Sequence, residues 1–131
     1  MNMHETEIRV RYQETDSMGV VYYSNYFVWL EVARTEYLRA KGISYKQLED
    51  EGFYLMVASA ACQYKFPARY DDLVKITTWV PEIRNSSLKF AHKLFVNEKI
   101  VATGESTHVF TNKTWRPVRV PDALKKLLEK S

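Results

Sequence analysis

Only one cysteine, Cys62, occurs in the 131 residues, so no disulfide can form within the chain and a disulfide-stapled scaffold is excluded. No run of 18 apolar residues is present, and Met1 to Val10 shows no basic, apolar leader; we therefore expect neither a membrane span nor secretion, and a cytoplasmic setting. Charge of one sign is scarce too: 19 Lys and Arg against 16 Asp and Glu leave a formal +3, interspersed along the chain. Such an excess suits a phosphate-bearing small ligand, but it is too weak and dispersed for a nucleic-acid footprint. Repeats, linkers and low-complexity segments are missing, and no HxH, HxxxH or Cys/His cluster supplies metal ligands. What remains is an ordinary globular composition, 46% hydrophobic and 27% charged, at a length that fits one domain over residues 1–131.

Ile8, Val10 and Tyr12 alternate with Glu7, Arg9 and Arg11, which predicts a half-buried strand over residues 4–12. After a loop containing Asp16 the period changes. From Ser24, the expected N-cap, Phe27, Leu30, Ala33, Arg34, Tyr37 and Leu38 recur three or four apart, with Tyr26 and Trp29 widening the stripe, and Gly42 ends this long helix. Ser44 with Gln47 resembles a capping box for a short second helix that stops before Gly52. Strands are expected over 53–66, 73–80, 87–96 and 99–111, with turns at 67–72, 81–86 and 97–98 and a short helix over 121–130. The class is α+β, an antiparallel sheet of about five strands burying its apolar face on the long helix. An edge strand of such a sheet needs cover; pairing with a second copy supplies it, so a homodimer is expected.

The stretch Asp16 to Asn25 concentrates the chemistry. It sets a carboxylate beside Gly19, whose backbone can approach a ligand closely, and leads through Tyr22 and Tyr23 into a helix N-terminus. Amides around Tyr22 to Ser24 carry partial positive charge and can hold a carbonyl oxygen as it becomes negative while Asp16 acts on its carbon. The pairing suits acyl transfer, for which one oriented carboxylate suffices on a thioester. The plainer reading of Asp16 is an acid that forms an Asx turn or complements the helix dipole.

Tyr12, Asp16, Gly19, Val20, Tyr22, Tyr23, Asn25 and Tyr26, followed by Trp29, Leu30 and Glu31, resemble the acyl-CoA thioesterases of the hotdog fold, in particular the hydroxybenzoyl-CoA thioesterase and YbgC-like group. The Pro67 to Asp72 turn and the Arg84 to Leu88 segment extend the likeness over nearly the whole chain. The resemblance implies a sheet wrapped around a helix, Asp16 as the catalytic carboxylate, and the backbone amide of Tyr23 polarising the thioester carbonyl, with Asn25 ordering the turn. Many YbgC-like members carry His at the position of Tyr23, whereas the hydroxybenzoyl enzymes carry Tyr, which favours a role for the backbone amide. Glu31 stands where the hydroxybenzoyl enzymes place an Asp against the acyl ring. A second hotdog group uses a helix carboxylate as its catalyst, making Glu31 the rival to Asp16; its plainer reading is a solvated helix face or an ion pair with Arg34.

Coenzyme A brings phosphates, so basic groups are expected at the cleft rim. Arg84 matches a basic family position, Arg69 and Lys89 are nearby candidates, and Ser86 and Ser87 offer hydroxyl donors, although surface charge and turn chemistry explain these residues equally. Asn85 and Ser86 depart from the basic residues of the hydroxybenzoyl enzymes. His92 alternates with Phe90 and Leu94, and His108 with Phe110, reading as sheet residues with satisfied hydrogen bonds; Cys62 reads as packing. Phe27, Phe53 and Tyr54 are candidates for an aryl pocket or for core. The expected function is hydrolysis of an acyl-CoA, or of an acyl group on acyl carrier protein, without a cofactor beyond the CoA of the substrate, in a dimer or dimer of dimers. Two alternatives remain: a noncatalytic acyl-CoA or acyl-carrier-protein binding scaffold on the same fold, and a hydratase, which lacks a histidine in the loop.

Overall fold

In the computed structural model, which describes residues 3–129, strands β1 (His4–Arg9), β2 (Tyr54–Tyr64), β3 (Leu73–Ile83), β4 (Ser87–Val96) and β5 (Lys99–Thr111) form one sheet in the order β1-β3-β4-β5-β2. Every neighbouring pair is antiparallel. Helix α1 (Asn25–Ala40) lies on one face, with α2 (Tyr45–Asp50) and α3 (Asp122–Glu129) at the end reached by its C-terminus. This is the expected α+β arrangement.

The buried stripe of α1 is Tyr26, Trp29, Leu30, Ala33, Arg34, Tyr37 and Leu38, the spacing that a 3.6-residue period dictates. Gly42, at φ +83, takes the left-handed conformation that lets the Ile43 amide return to the Leu38 carbonyl at 2.8 Å and close the helix. The helix and sheet approach most tightly at Gly104 of β5, where a Cβ would lie 2.7 Å from Leu30 Cδ1. Ser44 caps α2 by accepting from the Gln47 amide.

Differences from the predicted elements have local causes. The chain leaves β1 at Arg9 for a 3-10 turn over Tyr12–Glu14, which turns Tyr12 outward to 76% exposure instead of onto the buried face. Strand β3 runs through Pro81 to Ile83, because the β3–β4 register shifts between Trp79 and Glu82 and β1 pairs no farther than Thr78; the missing proline N–H therefore interrupts no ladder. The end of the helix predicted over 121–130 and both chain termini lie outside the described residues.

Two apolar clusters make the core. One, containing Trp29, Leu30, Ala33, Ile76, Leu94 and Ala102, sits under the N-terminal half of α1; the other, containing Tyr37, Leu38, Phe90, Phe110 and Leu124, sits under its C-terminal half. Between them runs a buried polar belt of Arg34, Thr78, His92, Ser106 and His108. Thr78 Oγ1 bonds His92 Nδ1 at 2.9 Å, and Ser106 Oγ bonds His108 Nε2 at 2.8 Å and accepts from Arg34 at 3.4 Å. The histidines are only partly satisfied, since His92 Nε2 has no partner. Burial, reinforced by the Arg34 guanidinium, pushes His92 down to about 3 and His108 down to about 4.

Both imidazoles are therefore neutral in the fold, while in the unfolded chain they take up protons below about pH 6.5. Their contribution to stability is complete above that pH and falls by about 1.4 kcal/mol per histidine for each unit of acidification, until the folded pKa is reached. We predict that the urea midpoint drops steeply between pH 7 and 5 and that His92→Gln flattens the drop; equal slopes for the two proteins would remove His92 from this role. Gly104→Ala should lower stability by about 1–3 kcal/mol in a urea titration, because Leu30 is buried and cannot swing aside freely.

Candidate active site

The segment between β1 and α1 folds into a closed loop. Thr15 and Val21 form an isolated antiparallel bridge, and the Asp16 amide donates to the Val20 carbonyl at 2.9 Å. Gly19, at φ +81, completes the turn by donating to the Asp16 carbonyl at 3.0 Å. Asp16 Oδ1 accepts from the Met18 amide at 2.8 Å and, more weakly, from that of Val20 at 3.4 Å. The Asx turn is thus real but occupies one oxygen; among the described residues no protein donor engages Oδ2. The loop is docked on the connection between β2 and β3 through Val20, which pairs with Arg69, and through the Val21 amide, which donates to Ala68 O at 2.9 Å. Arg69 is thereby held next to Val20 of the loop, but it is not among the residues that line the Asp16 cleft.

Helix entry differs from expectation. Ser24 occupies the N-cap position in a helical conformation, and its side chain makes no cap hydrogen bond. Instead the Asn25 side-chain amide reaches back to the Glu14 carbonyl at 2.9 Å, and the Tyr22 amide donates to the same oxygen at 2.8 Å. Tyr22 is therefore spent as a donor. The amides of Tyr23 and Ser24 make no hydrogen bond among the described residues, and the first turn of α1 carries no acidic side chain to offset their positive end. Tyr64 reinforces the turn, its hydroxyl donating to the Tyr23 carbonyl at 3.1 Å. Burial, with help from Cys62, pushes that phenol up to about 12, so it remains a donor.

Asp16 and Tyr23 open onto the same cleft, about 500 Å³ in volume, with an aromatic wall of Tyr22, Tyr26, Tyr64 and Phe66. These are not the aromatics that the sequence suggested: Phe27 packs against the first apolar cluster and Phe53 against the second, while Tyr54 faces Trp115 with ring centroids 5.2 Å apart.

Glu31 and Arg34 do not form the ion pair considered for them. Arg34 turns into the polar belt, whereas Glu31 is exposed on α1, outside the Asp16 cleft. Arg84, Ser86, Ser87 and Lys89 lie elsewhere as well. Tyr64 aligns through Ala102 with Leu94 at the Asp16 end of the sheet, but Ser87 pairs with Val109 at the opposite end. The seven residue steps from Ser87 to Leu94 separate these ends by about 23 Å at about 3.3 Å per step. There Arg84 pairs with Glu82 at 2.7 Å, and the Ser86 and Ser87 carbonyls accept from the Phe110 and Arg84 amides.

One residue of the site carried no separate signal in the sequence. Glu14, two positions before Asp16 in a polar segment, reads as a solvated loop acid, yet it is 4% exposed, with Oε2 accepting from the Trp29 indole at 2.9 Å.

With this geometry in place, the family model described as the Thioesterase-like superfamily matches residues 10–128. The acyl-CoA thioesterase YbgC of Haemophilus influenzae is 36% identical over 91 residues, covering 69% of this chain and 67% of that protein. Among solved structures, a hypothetical protein from Aquifex aeolicus superposes with a TM-score of 0.92 at 31% identity, covering 96% of this chain and 99% of its own. A DHNA-CoA thioesterase from Staphylococcus aureus gives 0.88 at 34% identity, covering 91% and 81%.

The hydrogen-bond pattern predicts an exchange contrast. In a hydrogen-exchange measurement at neutral pH, the Tyr22 amide should be protected and those of Tyr23 and Ser24 should exchange fastest in the turn; equal protection of all three would show that the turn presents no free donors.

Proposed function

Because the chain belongs to the thioesterase-like superfamily, we propose that it hydrolyses the thioester of an acyl-CoA, with water as co-substrate, to a free carboxylic acid and CoA. The observation that carries this reading is that Asp16, with one carboxylate oxygen unengaged, and Tyr23, whose amide has no partner among the described residues, line one cleft. Asp16 Oδ2 acts either as general base on water or as the nucleophile that forms a mixed anhydride, and the amides of Tyr23 and Ser24 hold the oxyanion until the thiolate leaves. Gly19 and Asn25 set the loop and the turn. The reaction calls for no metal or cofactor beyond the CoA of the substrate. The setting proposed is the cytoplasm; among the described residues no helix is long and apolar enough to cross a membrane. Acyl carrier protein is the alternative carrier of the acyl group.

The functional unit proposed is a homodimer, alone or doubled into a tetramer. Strand β2 is a sheet edge whose Met56 and Val57 are exposed and whose outward ladder is unpaired among the described residues. Antiparallel pairing of two such edges about their middle would bring the Tyr64 end of one chain beside the Tyr54 end of the other. It would carry Arg84, Ser86 and Ser87 of the second copy toward the Asp16 cleft, from which they are separated within one chain. Those residues are proposed to meet the phosphates and pantetheine of CoA there, together with Arg69 beside the loop. Glu31, exposed on α1, is proposed to contact the acyl group.

The test is thiol release from a panel of short, long and aromatic acyl-CoAs. Native protein should turn over at least one class, and Asp16→Asn should fold normally and lose about 100-fold or more in kcat, the scale of a positioned base or nucleophile. Binding of acyl-CoA without turnover by the native protein would favour the noncatalytic binding reading, and unchanged turnover in Asp16→Asn would move the carboxylate role to Glu31.

A further inference from the structure

The buried carboxylate of Glu14 takes no part in the chemistry proposed above, yet it lies between its two components. Its Oε1 accepts from the Arg11 amide at 2.8 Å, and its Oε2 accepts from the Trp29 indole at 2.9 Å with an Arg11 guanidinium nitrogen 3.7 Å away. Its backbone carbonyl accepts from the Tyr22 amide and the Asn25 side chain. One residue thus binds the turn that precedes the Asp16 loop, the second turn of α1 through Trp29, and the two residues flanking the Tyr23–Ser24 donors. Trp29 is itself 1% exposed in the first apolar cluster, so the anchor on the helix side cannot drift. A carboxylate this enclosed is retained only when its oxygens are met by donors, and Arg11 and Trp29 meet both.

We propose that Glu14 is a positioning residue that fixes the Asp16 carboxylate relative to the Tyr23 amide; the proposal rests on the hydrolytic reading given above. Loss of this brace leaves the cleft and its aromatic wall in place but lets the loop and the helix start move independently, so the reacting groups lose alignment while acyl-CoA binding persists. In a site that works by alignment, displacement on the order of 1 Å is enough to cost about 100-fold in rate.

Glu14→Gln tests this directly, because a carboxamide can accept from only one of the two facing donors and turns its own N–H groups toward the other. We expect kcat to fall at least 10-fold with KM changed less than threefold, measured well below the unfolding midpoint. Trp29→Phe, which removes the indole donor of the same brace, should also lower kcat more than it changes KM, and the double variant should be little worse than either single one. A readout independent of activity accompanies it: exchange of the Tyr22 amide should accelerate at least 10-fold in Glu14→Gln while amides in the β4–β5 ladder stay protected. If Glu14→Gln does not fold, Asn25→Ala, which removes only one clasp on the Glu14 carbonyl, should show the same pattern more weakly. Native kcat and native Tyr22 exchange in the folded variant would overturn the proposal, as would a kcat loss that merely tracks the fraction unfolded. A native protein inactive on every acyl-CoA but showing the accelerated exchange would sink the hydrolytic reading and leave the brace standing.

Discussion

Seating α1 in the sheet is the constraint on which the rest depends. Leu30 lies so close to β5 that position 104 has room for no side chain, and this contact sets how deep the helix sits. Depth fixes where the first turn emerges, and hence where the unpaired Tyr23 and Ser24 amides open. The same burial places Trp29 where its indole can hold Glu14, so the apolar packing of the helix is converted into the placement of a polar loop. Packing in a dense core is stiff, and the oxyanion site proposed at this turn would draw its rigidity from that packing.

The polar belt across the core shows how such a small sheet accommodates ionisable groups. Arg34 finds hydroxyl partners rather than a carboxylate, and its charge helps keep His92 and His108 neutral. These histidines stand among Thr78, Ser106 and Phe90, outside the Asp16 cleft, and their burial bears on stability. The carboxylate proposed for the chemistry lies outside this belt, in the loop before α1, with one oxygen held by its own turn.

Much of this was legible in the sequence, and the exceptions are instructive. Strands β4 and β5 and helix α1 follow from alternation and from the Tyr26-to-Leu38 stripe, because periodicity reports directly which face is buried. The loop from Asp16 to Gly19 and the helix start at Asn25 were readable because turn chemistry and helix entry are local. The stripe also placed Arg34 on the buried face and the solvated reading of Glu31 holds, but the partners were not readable: Ser106 for Arg34 is distant in sequence, and Trp29, which draws Glu14 inward, lies fifteen residues on. Arg84, Ser86 and Ser87 illustrate a third case. Their likeness to the family layout suggested a substrate contact, but position along one chain does not show which cleft, if any, lies near them, and within this chain they stand at the end of the sheet away from Asp16.

The central claim, that the Tyr23 amide receives the carbonyl oxygen beside Asp16, is tested most directly by amide NMR with a ketone analogue of an acyl-CoA in which a methylene replaces the thioester sulfur. Such a ligand keeps the carbonyl and cannot be hydrolysed. The account predicts a downfield shift of the Tyr23 amide proton, with Ser24 following, that disappears when the analogue lacks the carbonyl. Saturable binding that leaves both amides unmoved and perturbs residues around Glu31 instead would contradict it.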